Sequence, residues 1–254
     1  MEIISFSGYM FGMAIICERP QADPSDTVNL SAVILAGGQS RRMGRDKAWI
    51  ELNDQPLIVR AFAVVREAGI QEILISGRVG VDYSALGCPV LQDLEPDRGP
   101  LGGIERALAV ASHPLVLVLA VDLPKITPLL LRKLAQHCQP GTGVVPECNG
   151  QLEPLAAIYP KRCHAFARTA LREGRHSARR FADACRRNSA VRILPIETCD
   201  LSCFENWNSP VDVATPGMPK PARAPSSRTW TEAAPQFKTT ESVSIRPDCA
   251  NPEE

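Results

Sequence analysis

Residues 115–121 read Leu-Val-Leu-Val-Leu-Ala-Val, an unbroken apolar run with an aspartate directly behind it. A strand with one face in water alternates apolar and polar side chains. A strand without that alternation needs cover on both faces, as the central strand of a parallel sheet between helices has. Shorter runs of strand type lie at 31–36, 72–76, 89–92, 143–146, 156–159 and 191–195. Helical stretches fall between them at 56–68, 101–112, 128–138, 161–173 and 177–186. In the first of these, Leu57, Val59, Phe62, Ala63 and Val65 give a partly amphipathic face, and Gly69 stands where a helix end favours glycine. This alternation predicts a doubly wound α/β sheet.

Ligands of such sheets sit at the carboxyl ends of the strands. The sequence puts Gly37 and Gly38 after the first strand, Ser76 after the second, Asp93 after the third and Asp122 after the fourth. The first exit is the richest. Residues 35–47 read LAGGQSRRMGRDK. Glycines let the backbone approach a ligand and turn its N–H groups toward an anion. Arg41, Arg42, Arg45 and Lys47 add positive charge to the same few residues, which suits a polyphosphate. The loop is neither of the two familiar phosphate loops. Five residues separate Gly38 from Gly44 and Arg45 follows, which breaks the P-loop pattern, while adjacent Gly37 and Gly38 break the dinucleotide fingerprint. The plain alternative is a basic surface turn.

The loop resembles the signature of the molybdenum cofactor guanylyltransferases, within the nucleotidyltransferase superfamily. Four further blocks follow in that family's order: QDLEPDRGPLGGIERAL at 92–108, VDLP at 121–124, GQLEPLAAIY at 150–159 and FENWNSPVDV at 204–213. The resemblance implies a three-layer α/β/α Rossmann-like nucleotidyltransferase fold with a mostly parallel sheet. It implies transfer of GMP from GTP to molybdopterin, with Mg²⁺ as cofactor and pyrophosphate as by-product, in the cytoplasm. Molybdoenzymes or their chaperones are the macromolecular partners that it suggests. Leu35, Ala36, Gly37, Gly38, Lys47, Asp93 and Asp122 are the implied nucleotide-binding residues. One departure stands out: residues 75–78 read Ile-Ser-Gly-Arg, where the family often has an asparagine in a V-x-A-N-R type segment.

The chemistry points to three residues first. Asp122, ejected from a buried strand into the ligand crevice, is placed to hold Mg²⁺, which prefers oxygen ligands, waters and substrate phosphates. Its alternative is a helix cap or turn aspartate, but Thr127-Pro128 already supplies the cap and first-turn residues of the next helix. Lys47 is a mobile point charge able to neutralise phosphate oxygens during transfer, and Arg42 assists it. Arg41 and Arg45 fit solvated positions equally well, and Asp46 could orient a neighbouring cation. The glycines at 99–103 form a turn into a helix whose N-terminus could face the ligand, or a plain β-to-α connection. Asn206, Asn208 and Asp212 suit either the crevice or the cap of a helix near Pro210. Arg172, Arg175, Arg179, Arg180, Arg186 and Arg187 form a cationic region, with Arg175 and Arg179 the first choices for the pterin substrate; a solvated helix face would look the same.

Attack by an existing phosphate needs no strong base, and no Ser-His-Asp or Cys-His arrangement competes for the role. Cytidylyl transfer to molybdopterin, or nucleotidyl transfer to a sugar or alcohol phosphate, uses the same machinery; LAGG and the G-x-D-K ending favour guanine. A nucleotide-binding adaptor without turnover is the reading of a different class, against which Lys47 and Asp122 both stand.

Composition supports a small-molecule enzyme. The 254 residues carry 28 basic and 28 acidic side chains, so no global field favours nucleic acid or membrane. Aromatics at 5% are too few for base-stacking platforms. Nine cysteines lack any C-x-x-C and zinc spacing, which suits reduced thiols. Residues 30–214 form the expected domain. The stretch 1–29 is a flexible leader or a start-site artefact, its apolar part shorter than the ~20 residues of a membrane span. The Pro/Ser/Thr-rich stretch 215–254 is expected to stay disordered.

Overall fold

The computed structural model describes residues 29–37, 47–92 and 98–206. The expected leader up to residue 28, the expected tail, Gly38, Arg41, Arg42, Arg45, Asp46, Asp93, Asn208 and Asp212 lie outside the described residues. In chain order the elements are β1 (Ser31–Leu35), β2 (Glu51–Leu52), β3 (Gln55–Pro56), α1 (Leu57–Glu67), β4 (Glu72–Gly77), β5 (Val90–Gln92), α2 (Gly99–Val110) and β6 (Leu115–Ala120). Then follow α3 (Pro128–Gln136), β7 (Gly143–Cys148), β8 (Gln151–Leu152), β9 (Ala156–Pro160), α4 (His164–Arg172), α5 (Ala178–Arg187) and β10 (Val191–Pro195).

The main sheet has the order β10-β7-β9-β6-β1-β4-β5, with β8 on the edge of β7. β1 lies between β4 and β6 and is parallel to both. The apolar run at β6 is central and covered on both faces, but only one of its neighbours is parallel. β9 runs antiparallel to it, from Leu115↔Pro160 to Leu119↔Ala156. The sheet is therefore mixed, mostly parallel, with its reversal beside the central strand.

Unbroken apolar runs make sense because each strand faces two cores. Ala32 and Ile34 of β1 join α1 and α3 on one face. Val33 and Leu35 join α2, α4 and α5 on the other. That gives three layers, α/β/α. Two local devices bring the helices in. After α1, Gly69 takes φ +94°, and the N–H groups of Gly69 and Ile70 bond to the carbonyls of Arg66 and Val65. This Schellman turn returns Ile70 to the core. In α2, Gly103 permits close approach to the strand ends, because a Cβ there would lie 2.2 Å from Ser76 Oγ and 2.9 Å from Leu35 Cδ2.

The described cysteines are all free thiols, four of them buried. Burial alone pushes Cys138 up to about 12. Among the described residues no helix is long and apolar enough to cross a membrane.

Candidate active site

Four parallel strands, β1, β4, β5 and β6, present their carboxyl ends on one edge. The exit of β1 is fastened there by backbone bonds. Leu35 O accepts from Val121 N–H at 3.3 Å, and the N–H groups of Ala36 and Gly37 both donate to Ser76 O, at 2.9 and 3.1 Å. Leu35, Ala36 and Gly37 thus lie at the expected edge, but these two amides are already engaged. Anion contacts by loop amides would have to come from residues after Gly37.

Past β6, the chain turns through Val121 and Asp122 and dips back as Leu123 and Ile126 enter the core, 5% and 3% exposed. Apolar anchors on either side leave Asp122 at the edge as the acidic residue of that turn. Lys47 starts the short 3-10 turn Lys47–Trp49, fixed by buried Ala48 and by Trp49 stacked on Tyr83 with ring centroids 6.1 Å apart. Lys47 Nζ donates to Asp122 Oδ2 at 3.3 Å, joining residues 75 apart in sequence. Their side chains are 17% and 24% exposed.

The other oxygen of that carboxylate is the telling atom. Asp122 Oδ1 is buried and has no hydrogen-bond partner among the described residues. A buried, unpaired carboxylate oxygen is costly and calls for a ligand. Among the described residues no three His, Cys, Asp or Glu side chains converge. A hard anionic oxygen of this kind suits Mg²⁺, which keeps several waters and takes substrate phosphates.

A second carboxyl group comes close by way of the sheet. Ala120 N–H donates to Leu155 O at 2.8 Å, which brings the segment before β9 alongside the end of β6, and Glu153 lies near enough to feel the Asp122 charge. Burial raises the Glu153 carboxyl above its ordinary range, Arg179 draws it part of the way back, and the Asp122 charge raises it. Glu153 belongs to the GQLEPLAAIY block, where the signal was a charged residue at the mouth of a buried strand. Its nearness to Asp122 spans 31 residues of sequence, which no local pattern shows.

Of the two arginines singled out, Arg179 near the start of α5 acts on Glu153 and so belongs to this neighbourhood. Arg175 is exposed on the α4–α5 connection and is ion-paired with Glu173. Asn206 is exposed at the end of a stretch that Glu205 ties to the Asp122 turn through Lys125, 2.5 Å away. At the expected asparagine position stands Gly77. A Cβ there would lie 2.4 Å from Tyr83 Cε2, so the Tyr83 ring fills the space that a side chain would take.

Residues 32–190 match the family described as the MobA-like NTP transferase domain. The probable molybdenum cofactor guanylyltransferase of Opitutus terrae is 38% identical over 186 residues, 72% of this chain and 92% of that protein. The molybdenum cofactor guanylyltransferase of Pseudomonas aeruginosa is 39% identical over 153 residues, 59% of this chain and 77% of that protein. The crystal structure of the molybdopterin-guanine dinucleotide biosynthesis protein A of Archaeoglobus fulgidus superposes with a TM-score of 0.57 at 22% identity. It covers 72% of this chain and 94% of that one, a likeness of fold.

Proposed function

The chain belongs to the MobA-like NTP transferase family, and from that premise we propose that it transfers GMP from GTP to the terminal phosphate of molybdopterin, forming the guanine dinucleotide and releasing pyrophosphate. The relatives' names support the substrates. The observation that carries the chemistry is Lys47 held 3.3 Å from a carboxylate whose second oxygen is buried and has no partner among the described residues.

The acceptor is already an anionic phosphate, so the step needs alignment and charge stabilisation more than a base. Lys47 neutralises oxygens of the α-phosphate and of the leaving pyrophosphate. Asp122 would hold the Mg²⁺ through Oδ1 while Oδ2 keeps Lys47 in place. When bound, that ion supplies charge neutralisation and a template for the phosphates. Arg42 and the glycine loop serve the triphosphate, Asp93 the guanine nucleotide, and Arg179 the acceptor.

The test is pyrophosphate release with Mg²⁺ and molybdopterin, titrating GTP, CTP and ATP. GTP is expected to give the highest kcat/KM. Equal turnover with CTP would remove the guanylyl half of the proposal and keep nucleotidyl transfer. No pyrophosphate with any nucleotide would leave only a binding protein.

A further inference from the structure

Lys47 and Asp122 each sit on a connecting segment, and helix α1 touches both segments. At its start, Leu57 N–H donates to Ile50 O at 2.9 Å, just behind the Lys47 turn. One turn later, Arg60 Nε donates to Pro124 O at 2.6 Å, two residues past Asp122. Backbone bonds within the Asp122 turn are long, 3.4 Å from Leu123 N to Ala120 O and 3.3 Å from Ile126 N to Leu123 O. A small cleft between this turn and α1 is lined by Leu57, Arg60, Val64, Val121, Leu123 and Ile126. The apolar residues among them share one core, which is non-directional, and the guanidinium bond adds a directed tie between helix and turn.

We propose that Arg60 is a positioning residue for the reaction above, tethering the Asp122 turn to the helix that also carries the Lys47 turn. This rests on the functional reading for its effect on turnover, and on geometry alone for its effect on the turn. Arg60 touches no reacting atom; it fixes the distance between two groups that do. A small displacement of an aligned group is expensive in rate while leaving much of the ground-state binding intact.

The full chain is compared with Arg60→Met, Arg60→Lys and, as a packing control lining the same cleft, Val64→Ala. Hydrogen exchange at the Leu123 and Ile126 amides is measured beside kcat and KM for GTP. In Arg60→Met, exchange in the turn should be about 10-fold faster and kcat about 10-fold lower, with KM within about twofold. Arg60→Lys keeps a donor and should fall between it and the unaltered chain. Val64→Ala should lower Tm without either change. Unchanged exchange in Arg60→Met, unchanged kcat, or the same pattern in Val64→Ala would overturn the proposal. If the unaltered chain releases no pyrophosphate while the exchange difference persists, the guanylyl reading fails and the tether stands.

Discussion

At the amino edge of the sheet, Ser31, Glu72, Ser112 and His113 close into a network; at the carboxyl edge of the same strands, Lys47 and Asp122 meet with one carboxylate oxygen unpaired among the described residues. The first cluster is saturated. Glu72 accepts from the Ser31 hydroxyl, from the Ser112 amide at 3.0 and 3.2 Å, and from the Ser112 hydroxyl at 2.7 Å. His113 N–H donates to Ser31 Oγ at 3.1 Å, and its Nδ1 lies 3.2 Å from Glu72 Oε2. Burial acts to raise the Glu72 carboxyl, but the bonds from Ser112, Ser31 and His113 outweigh it and hold the group at about 2. Serine, histidine and glutamate together suggest hydrolytic chemistry by composition alone. Yet Ser31 is fully buried and spends its proton on Glu72, so it cannot serve as a nucleophile. A polar cluster with every partner in place locks the fold, whereas a buried carboxylate oxygen with no partner among the described residues is available to a ligand.

The comparison breaks most easily at Asp122. Asp122→Asn should lower kcat about 100-fold or more with Mg²⁺ present, since an amide is a poorer ligand for a hard cation. Its Tm should stay close to that of the unaltered chain, because only one partner of a partly exposed ion pair changes; normal turnover at ordinary Mg²⁺ would take Asp122 out of the mechanism. Lys47→Ala comes next, with kcat down about 10- to 100-fold and KM for GTP nearly constant. A change confined to KM would make Lys47 a ground-state binding residue.

The amino edge should answer in stability. Glu72→Gln removes charge-assisted bonds worth about 1.5–3 kcal/mol each in comparable settings, so Tm should fall by several degrees with kcat at permissive temperature retained. The sign of the pH effect follows from a folded value of about 2 against an ordinary 4.5. The contribution is complete above the ordinary value and drains away as pH falls toward the folded one. Denaturant titrations over that window should show a steep acid loss in the unaltered chain and a flatter one in Glu72→Gln; parallel curves would contradict the assignment. His113→Ala is the mildest test. Glu72 keeps its serine partners, so a Tm loss of about 1–3 °C is expected, with turnover unchanged.

Most of the layered fold was legible because double-faced burial writes itself as unbroken apolar runs, and all seven expected strands appear within two residues of their places. Direction was not legible. An apolar run has no polarity, so nothing in residues 156–159 showed that β9 would run against β6. The hairpin of β2 and β3 and the short β8 were missed because two-residue strands carry no periodicity. Lys47 and Asp122 were found through their motifs, at the ends of segments with strong local signals. Glu153, Arg60 and the amino-edge network were not. Each depends on a neighbour at least 31 residues away, as with Glu153 and Asp122, and isolated polar residues in sequence do not announce such meetings.

The place of β6 between β1 and β9 also sets a timetable. Ser31 pairs with Val116, 85 positions later, and Leu119 with Ala156, so the middle of the sheet closes only through long loops. Topologies dominated by distant pairings fold slowly, and synthesis delivers the chain from its amino end. A nascent chain stopped before β9 would hold β1, β4 and β6 with one flank of β6 bare, an open strand edge able to pair with another molecule. Asp122 would be present in such a chain, yet Leu155, whose carbonyl receives the Ala120 amide beside it, would be missing. Completion of the candidate site would thus come late, with the arrival of the reversed strand, and the open edge of β6 would persist until that strand emerges.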